Sequence, residues 1–363
     1  MRAALAWSTL ASAALASVVL GCAKRGPRDV GNQNPRSEFA QGGGSATRGL
    51  DASADGAGPT FATPTPTGRK PREIVRASSR ALATDPAHVY FGDDDDDTLC
   101  SLEKMPAEGA SNEPVRIARR APIAGGLALD AHDAALAWIA SPGDVILRVP
   151  VRGGAPTTIR DRGIFTDVAA SNGDVFFTEA RGSGGMLMRV TGTTAAQLAT
   201  LEGTPRGTVV DADDAYVATS TRLVSSPRTR GEVTELARGS AFASPQLDDG
   251  WLYATTAVAD ASPRKRVVVR VKKTGGPLET VATNVRDSAI AVHRGTLYWF
   301  DADRPALLAS SVASDAVSTR PAVRLVSEDS MLERVNALVV DDDGAFVACG
   351  HGEDARIVVI SLR

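Results

Sequence analysis

The run Asp93-Asp94-Asp95-Asp96-Asp97 is the densest concentration of chemical groups in this sequence. Calcium favours several carboxylate oxygens on a flexible loop, so Asp93, Asp94, Asp95, Asp96 and Asp97 are the metal candidates and Ca²⁺ the ion they would suit. Consecutive side chains cannot all converge on one ion, and the run lacks the spaced Asp/Asn and Gly of a calcium loop. The alternative is a solvated, self-repelling acidic loop. No other cofactor is expected. The histidines are His88, His132, His293 and His351. No two have metal-ligand spacing. The sequence holds no Gly-x-Ser-x-Gly elbow and no evident Cys–His pairing. A catalytic residue is therefore not assigned.

The 363 residues carry 40 Lys+Arg against 43 Asp+Glu, a net charge of −3. A dedicated nucleic-acid binder would be strongly basic, so nucleic acid is not an expected partner. At 34 Gly and 20 Pro, the chain is too poor in both to be wholly disordered.

The amino terminus reads as an address. Arg2 supplies a positive charge, Ala3 to Leu20 is uncharged and mostly apolar, and Gly21-Cys22 follows. The alternative is an uncleaved membrane helix, for which this stretch is near the lower limit of length. Val19-Leu20-Gly21-Cys22 resembles a bacterial lipobox, in which lipid is attached to the cysteine sulfur before cleavage. The resemblance implies a signal peptide over 1–21 and lipidation of Cys22. Ala23 is not the aspartate that retains such lipoproteins at the inner membrane, so it also implies an outer-membrane address. The mature chain would be anchored to the membrane through lipid alone, because no later segment is long and apolar enough to span. Cys100 and Cys349 would then be the remaining cysteines, and an even pair in an exported protein suggests a disulfide. Two separate buried thiols is the other reading.

Residues 23–70 hold only Val30, Phe39, Leu50 and Phe61 as large apolar side chains. Such a stretch cannot bury enough surface to offset its ordering entropy. Residues 22–71 are therefore expected to be a lipidated cysteine and a disordered linker, and as a flexible coil the linker would reach on the order of 40 Å.

The elements that position the remaining candidates come from a repeat. A short apolar run, an Asp or its substitute, four residues and then an aromatic recur as Asp85 with Tyr90, Ser171 with Phe176, and Asp211 with Tyr216. The same offset joins Asp248 to Tyr253, His293 to Tyr298, and Asp341 to Phe346; Asp130 with Trp138 is three residues longer. The period is about 43 residues. Within each unit two alternating strands flank a turn such as Asn172-Gly173 or Asp249-Gly250. A third strand follows, as at Val267 to Val271, and then a short fourth, as at Glu279 to Ala282. Four antiparallel strands per period describe a propeller blade. The fold expected for residues 72–363 is an all-β, seven-bladed β-propeller. Arg72-Glu73-Ile74-Val75-Arg76 would complete the last blade, whose third strand ends the chain. Closure of that kind removes open sheet edges. Tyr216 marks the doubtful unit, because Ser226-Pro227 interrupts its third strand. Six blades and an insertion is the alternative.

Tyr298-Trp299-Phe300-Asp301, Phe176-Phe177-Thr178-Glu179 and Tyr90-Phe91-Gly92-Asp93 resemble the YWTD repeats of lipoprotein-receptor propellers and the bacterial TolB-type propellers. The likeness spans 72–363 loosely. It implies envelope assembly or protein contact.

Residues just before each first strand would line the mouth of the central channel. They include Arg80, Asp167, Arg206, Arg286, Asp287, Arg334 and Asn336. Four arginines around one opening could bind a carboxylate, phosphate or sulfate, or could pair with neighbouring acids. Farther in, Ala83, Ala128, Ala169, Val209, Gln246, Ala291 and Val339 supply no acid or base. The expected role is a non-enzymatic binding or scaffold module whose partner is an envelope protein, glycan or small ligand. The rival is a propeller enzyme of lyase or lactonase type, which would need converging ionisable groups on the loop face.

Overall fold

The computed structural model describes residues 65–105, 112–229, 231–257, 265–313 and 322–362. Cys22, the signal segment and residues 22–64 of the expected linker lie outside them. The described residues are almost entirely strand. Their helical turns are two short 3-10 segments, Ser330–Leu332 and Gly352–Asp354, and no helix among them could cross a membrane.

The strands form four-stranded antiparallel sheets in sequence order. Leu82–Thr84, His88–Asp93, Thr98–Glu103 and Val115–Arg119 make the first. Equivalent sheets run from Ile123–Asp130 to Thr157–Asp161, from Phe165–Ser171 to Thr194–Leu201, and from Pro205–Val210 to Thr234–Arg238. Tight turns set these ladders. Asn172 (φ 54°) and Gly173 (φ 83°) take the positive φ of a two-residue hairpin and place Ser171 opposite Asp174. The unit marked by Tyr216 is intact: Arg222–Pro227 runs unbroken, and Asp214 pairs with Pro227.

Two stretches depart from the expected pattern. Glu279–His293 is one continuous strand. Its first half pairs with Lys265–Lys272 and its last residues with Thr296–Asp301, with the register broken between Val285 and Ile290. No Gly or Pro punctuates Asn284-Val285-Arg286, so the chain bends without leaving the ladder, and an eight-stranded sheet results. Secondly, Thr65–Pro66, inside the expected linker, pairs in parallel with Val323–Val326 at the outer edge of that sheet. Thr67 extends the contact, its N–H donating to the Arg324 carbonyl at 3.0 Å.

Arg72–Val75 pairs with Arg356–Ser361, at the outer edge of the sheet that holds Val335–Val340 and Gly344–Cys349. The core is divided among clusters between successive sheets. Tyr90, Phe176, Tyr216, Tyr253, Tyr298 and Phe346 each pack toward the following sheet, with Phe346 of the last meeting Leu82, Val89 and Phe91 of the first. Trp138 does not follow this rule. The turn between Asp130 and Ala135 is longer, so Ala128 pairs with Ala137, and Ala137 takes the anchor position. Trp138 is rotated to the opposite face and packs back against the first sheet.

Candidate functional site

Every first strand, including the far half of Glu279–His293, contributes to one central cavity of about 640 Å³. Leu127, Val168, Val209, Leu247, Ile290 and Leu338 are among its apolar walls; Asp167, Ser244, Gln246 and Asn336 supply polar groups. A β-strand places alternate side chains on opposite faces, so the inner end of each sheet offers the cavity small side chains and backbone.

Asp167 sits on Phe165–Ser171 and is half-buried. Its Oδ2 accepts the Thr208 N–H at 2.7 Å, joining the inner strands of two successive sheets. Its Oδ1 lies against Gly126 of the preceding sheet. A Cβ at Gly126 would stand 2.9 Å from that oxygen, and Gly126 has φ +54°, a conformation that L side chains rarely adopt. Burial raises the Asp167 carboxyl to about 6, partly offset by the N–H groups of Thr208 and Val168. The roles of Gly126 and Thr208 have no motif that sequence reading could have found.

The arginines separate. Arg80 lines the cavity with its Nε 2.9 Å from Asp94 Oδ2. Arg206 also lines it, exposed, and among the described residues has no ion-pair or hydrogen-bond partner. Asn336 lines it and donates to the Gly350 carbonyl at 3.0 Å. Arg286 is not at the mouth. It stays within the continuous strand and donates to the carbonyls of Leu332 (3.4 Å) and Glu333 (2.6 Å). Arg334 opens instead onto a second cavity of about 320 Å³, shared with His351, Asp354 and Arg356. The expected ring of four arginines is therefore a pair, Arg80 and Arg206.

The acidic run is a turn between His88–Asp93 and Thr98–Glu103. Asp94 orients Arg80, Asp93 Oδ1 accepts the Asp95 N–H at 3.2 Å, and Asp97 has φ 52°. Burial raises the carboxyls of Asp93 and Asp94, and neighbouring aspartates add to this. Among the described residues no group of three or more His, Cys, Asp or Glu side chains is arranged to hold a metal ion.

Cys100 and Cys349 are free, buried thiols in the structure, in place of the expected disulfide. Cys100 packs with Phe346 and Ala348 between the first and last sheets. Cys349 projects from the other face of the last sheet, toward Tyr298 and Phe300. The sheet itself stands between the two sulfurs. Burial raises both thiols, Cys349 to about 11.

No protein-family model and no curated protein sequence matches the chain. Solved structures do. That of streptogramin B lyase aligns at a TM-score of 0.62 and 14% identity, covering 81% of this chain and 98% of that one. The β-propeller domain of Cps50 (Swd1) from Myceliophteria thermophila aligns at 0.60 and 12%, covering 81% and 100%. The fold is a β-propeller. YCF48 bound to a D1 peptide is similar as well, at 0.57 and 11%, covering 81% and 97%. At such identities the likeness is one of architecture, and the propeller's site must be read from its own residues.

Proposed function

We propose that this chain is a cell-envelope lipoprotein, held by lipid on Cys22 and by the linker over 22–71, whose propeller is a non-enzymatic binding or scaffold module. We count seven blades. The eight-stranded sheet divides at the break between Val285 and Ile290, and the pairing of Arg72–Val75 with Arg356–Ser361 closes the ring. The observation that carries the binding role is the central cavity, whose lining is more polar than apolar, with one carboxyl already engaged by backbone and with Arg206 exposed at its rim and without a partner among the described residues. A guanidinium with free donors suits a carboxylate, phosphate or sulfate group. The likeness to YCF48 bound to a D1 peptide supports a protein partner.

The likeness to streptogramin B lyase and the raised carboxyl of Asp167 favour the second reading, a lyase or lactonase-type enzyme with Asp167 as its acid or base. One experiment separates them. The full chain is titrated calorimetrically with inorganic phosphate, sulfate and a peptide with a free carboxyl terminus. Saturable binding that Arg206→Gln abolishes, with the probe recovered intact, supports the module. Turnover that Asp167→Asn abolishes would replace it with the enzyme, and binding that ignores Arg206 would move the site elsewhere. The anchor is tested separately. Cys22→Ser should release the chain from the membrane fraction or leave its precursor uncleaved; retention with normal processing refutes the lipoprotein reading.

A further inference from the structure

The second cavity, of about 320 Å³, holds charges of both signs that the fold leaves unpaired. Two loops at one end of the last sheet wall it. One leads through Glu333 and Arg334 into Val335–Val340; the other, around Gly350 to Asp354, joins Gly344–Cys349 to Arg356–Ser361. Glu333 and Arg334 are successive residues, and both line the cavity with exposed side chains. Among the described residues neither side chain has an ion-pair or hydrogen-bond partner, in each other or elsewhere. Arg356 reaches Asp354 and Glu73 only at 3.6 Å, beyond hydrogen-bond length, and the Asp354 side chain is 90% exposed.

The backbone beneath these side chains is fixed. Arg286 donates to the Leu332 and Glu333 carbonyls, the Gly350 N–H to the Arg334 carbonyl at 2.8 Å, and Asn336 to the Gly350 carbonyl. Gly350 has φ +81°, and a Cβ there would overlap the Asp354 carbonyl, so this wall closes only on glycine. Held backbone carrying unpaired charges is the arrangement of a preorganised binding site.

We propose that this cavity binds a free α-amino acid, its carboxylate on Arg334 and its ammonium on Glu333. The charge balance argues for a ligand with both signs. Glu333 and Asp354 offset Arg334 and Arg356, so a lone anion or a lone cation meets repulsion along with attraction. A zwitterion satisfies both. Successive residues that offer opposite charges to one cavity suit ligand charges that are also close together, as on a single α-carbon. The planar guanidinium fork matches a carboxylate in two-point contact. The volume lies at the lower end of the range of about 300–1,000 Å³ for ligand pockets, which sets a small ligand. Met331 is the one large apolar side chain in the lining, so recognition falls to the charged groups. No residue lines both cavities, so this inference does not depend on what the central one binds.

The test is calorimetric titration of the full chain carrying Arg206→Gln, so that the guanidinium of the central cavity does not contribute. The probes are L-alanine, acetate and methylammonium. L-Alanine is expected to saturate a single site, and acetate and methylammonium to bind at least about tenfold more weakly, each lacking one charged contact. Adding Arg334→Gln or Glu333→Gln should weaken alanine by about tenfold or more. Adding Arg162→Gln, an exposed side chain outside this cavity, should change nothing. Unaltered thermal unfolding shows that each variant is folded. An absence of saturable alanine binding overturns the proposal, as does alanine binding that survives both Arg334→Gln and Glu333→Gln. Acetate that binds as tightly as alanine also overturns it and makes the cavity an anion site. None of these results bears on the central cavity, which is read from the wild-type chain against Arg206→Gln.

Discussion

The ammonium of Lys104 lies 5.3 Å from the ring centroid of Phe346, so the first sheet and the last are pinned together by one side chain. The same ammonium donates to Asp341, five residues before Phe346. The relationship repeats. Lys273 lies 5.8 Å from the Tyr216 ring and 3.0 Å from Asp211, and Arg228 lies 5.0 Å from the Phe176 ring and donates to the Ser171 carbonyl at 2.8 Å. Each cation immediately follows the third strand of one sheet and covers the aromatic anchor of the sheet before. Val151 and Val312 occupy the same place and pack there as apolar side chains. All five donate their backbone N–H to the first hairpin of their own sheet, as Lys104 does to Ala87 at 2.9 Å. The spaced Asp and aromatic are thus two walls of a socket, filled from the neighbouring sheet.

Removing Lys104 should therefore loosen the junction of the first and last sheets. Its side chain is only 2% exposed, so Lys104→Ala leaves the Asp341 carboxylate facing a cavity. Breaking a buried pair from one side costs roughly 3–5 kcal/mol. Lys104→Met keeps the stem against Phe346 and should cost less. Urea unfolding of both variants measures the difference. A loss below about 1 kcal/mol for the alanine variant would show that other contacts hold the junction.

Tyr216 tests the same socket in the unit where sequence offered least support. The ring is 2% exposed, and its hydroxyl donates to Asp211 at 3.2 Å. Burial raises the Asp211 carboxyl, but the N–H groups of Asp214 and Asp213 and the Lys273 ammonium outweigh it and hold the group below its ordinary range. Tyr216→Ala should cost ~3–5 kcal/mol, because a cavity adds to the lost transfer energy. Tyr216→Phe removes only the bond to a charged acceptor and should cost about 1.5–3 kcal/mol. Equal losses in the two variants would mean that the ring contributes nothing beyond its hydroxyl.

These sockets mark the boundary of what was legible. The Asp-to-aromatic offset is visible because a two-residue hairpin fixes it. Trp138 reads as an anchor in the sequence, but the longer Asp130–Ala135 turn shifts the register by one side, which turns every following side chain over and gives the anchor position to Ala137. The filling residues Lys104, Arg228 and Lys273 carry no fixed spacing from the anchors, because the hairpin between second and third strands varies in length. The division of the arginines was equally hidden. Arg286 precedes a first strand in sequence, but the unbroken strand around it determines where it points. A disulfide between Cys100 and Cys349 looked reasonable from neighbouring units, but which face of the last sheet each thiol met was not written in the spacing.

Deleting residues 72–75 should destabilise the whole propeller, because Arg72–Val75 is the outer partner of Arg356–Ser361 and the adjoining Ala77 packs against the first and last sheets. Deleting 30–60 removes only three large apolar side chains, Val30, Phe39 and Leu50, and should leave the melting temperature within a degree or so. Calorimetry of the two deletions makes the comparison. Equal effects would place the domain boundary upstream of Arg72.

Asp167 makes the strongest pH prediction. Its carboxyl titrates near 6 in the folded chain against an ordinary value of 3.8. A raised carboxyl means that the folded state holds its proton more tightly than the unfolded state does. Its contribution is therefore fully favourable below pH 3.8 and is lost as pH rises through 6. At neutral pH the ionised group costs about 1–3 kcal/mol, the upper figure reduced because the carboxyl keeps some contact with water. Asp167→Asn keeps an oxygen for the Thr208 N–H and removes the charge. It should stabilise the propeller at pH 7.5 by that amount and converge with wild type near pH 4. Unfolding measured across this range, as the difference between variant and wild type, isolates Asp167 from the other titrating aspartates. A difference that is flat with pH would mean that the carboxyl ionises freely in the cavity. A variant less stable at pH 7.5 would show that the charged form, rather than the oxygen alone, is what ties Phe165–Ser171 to Pro205–Val210.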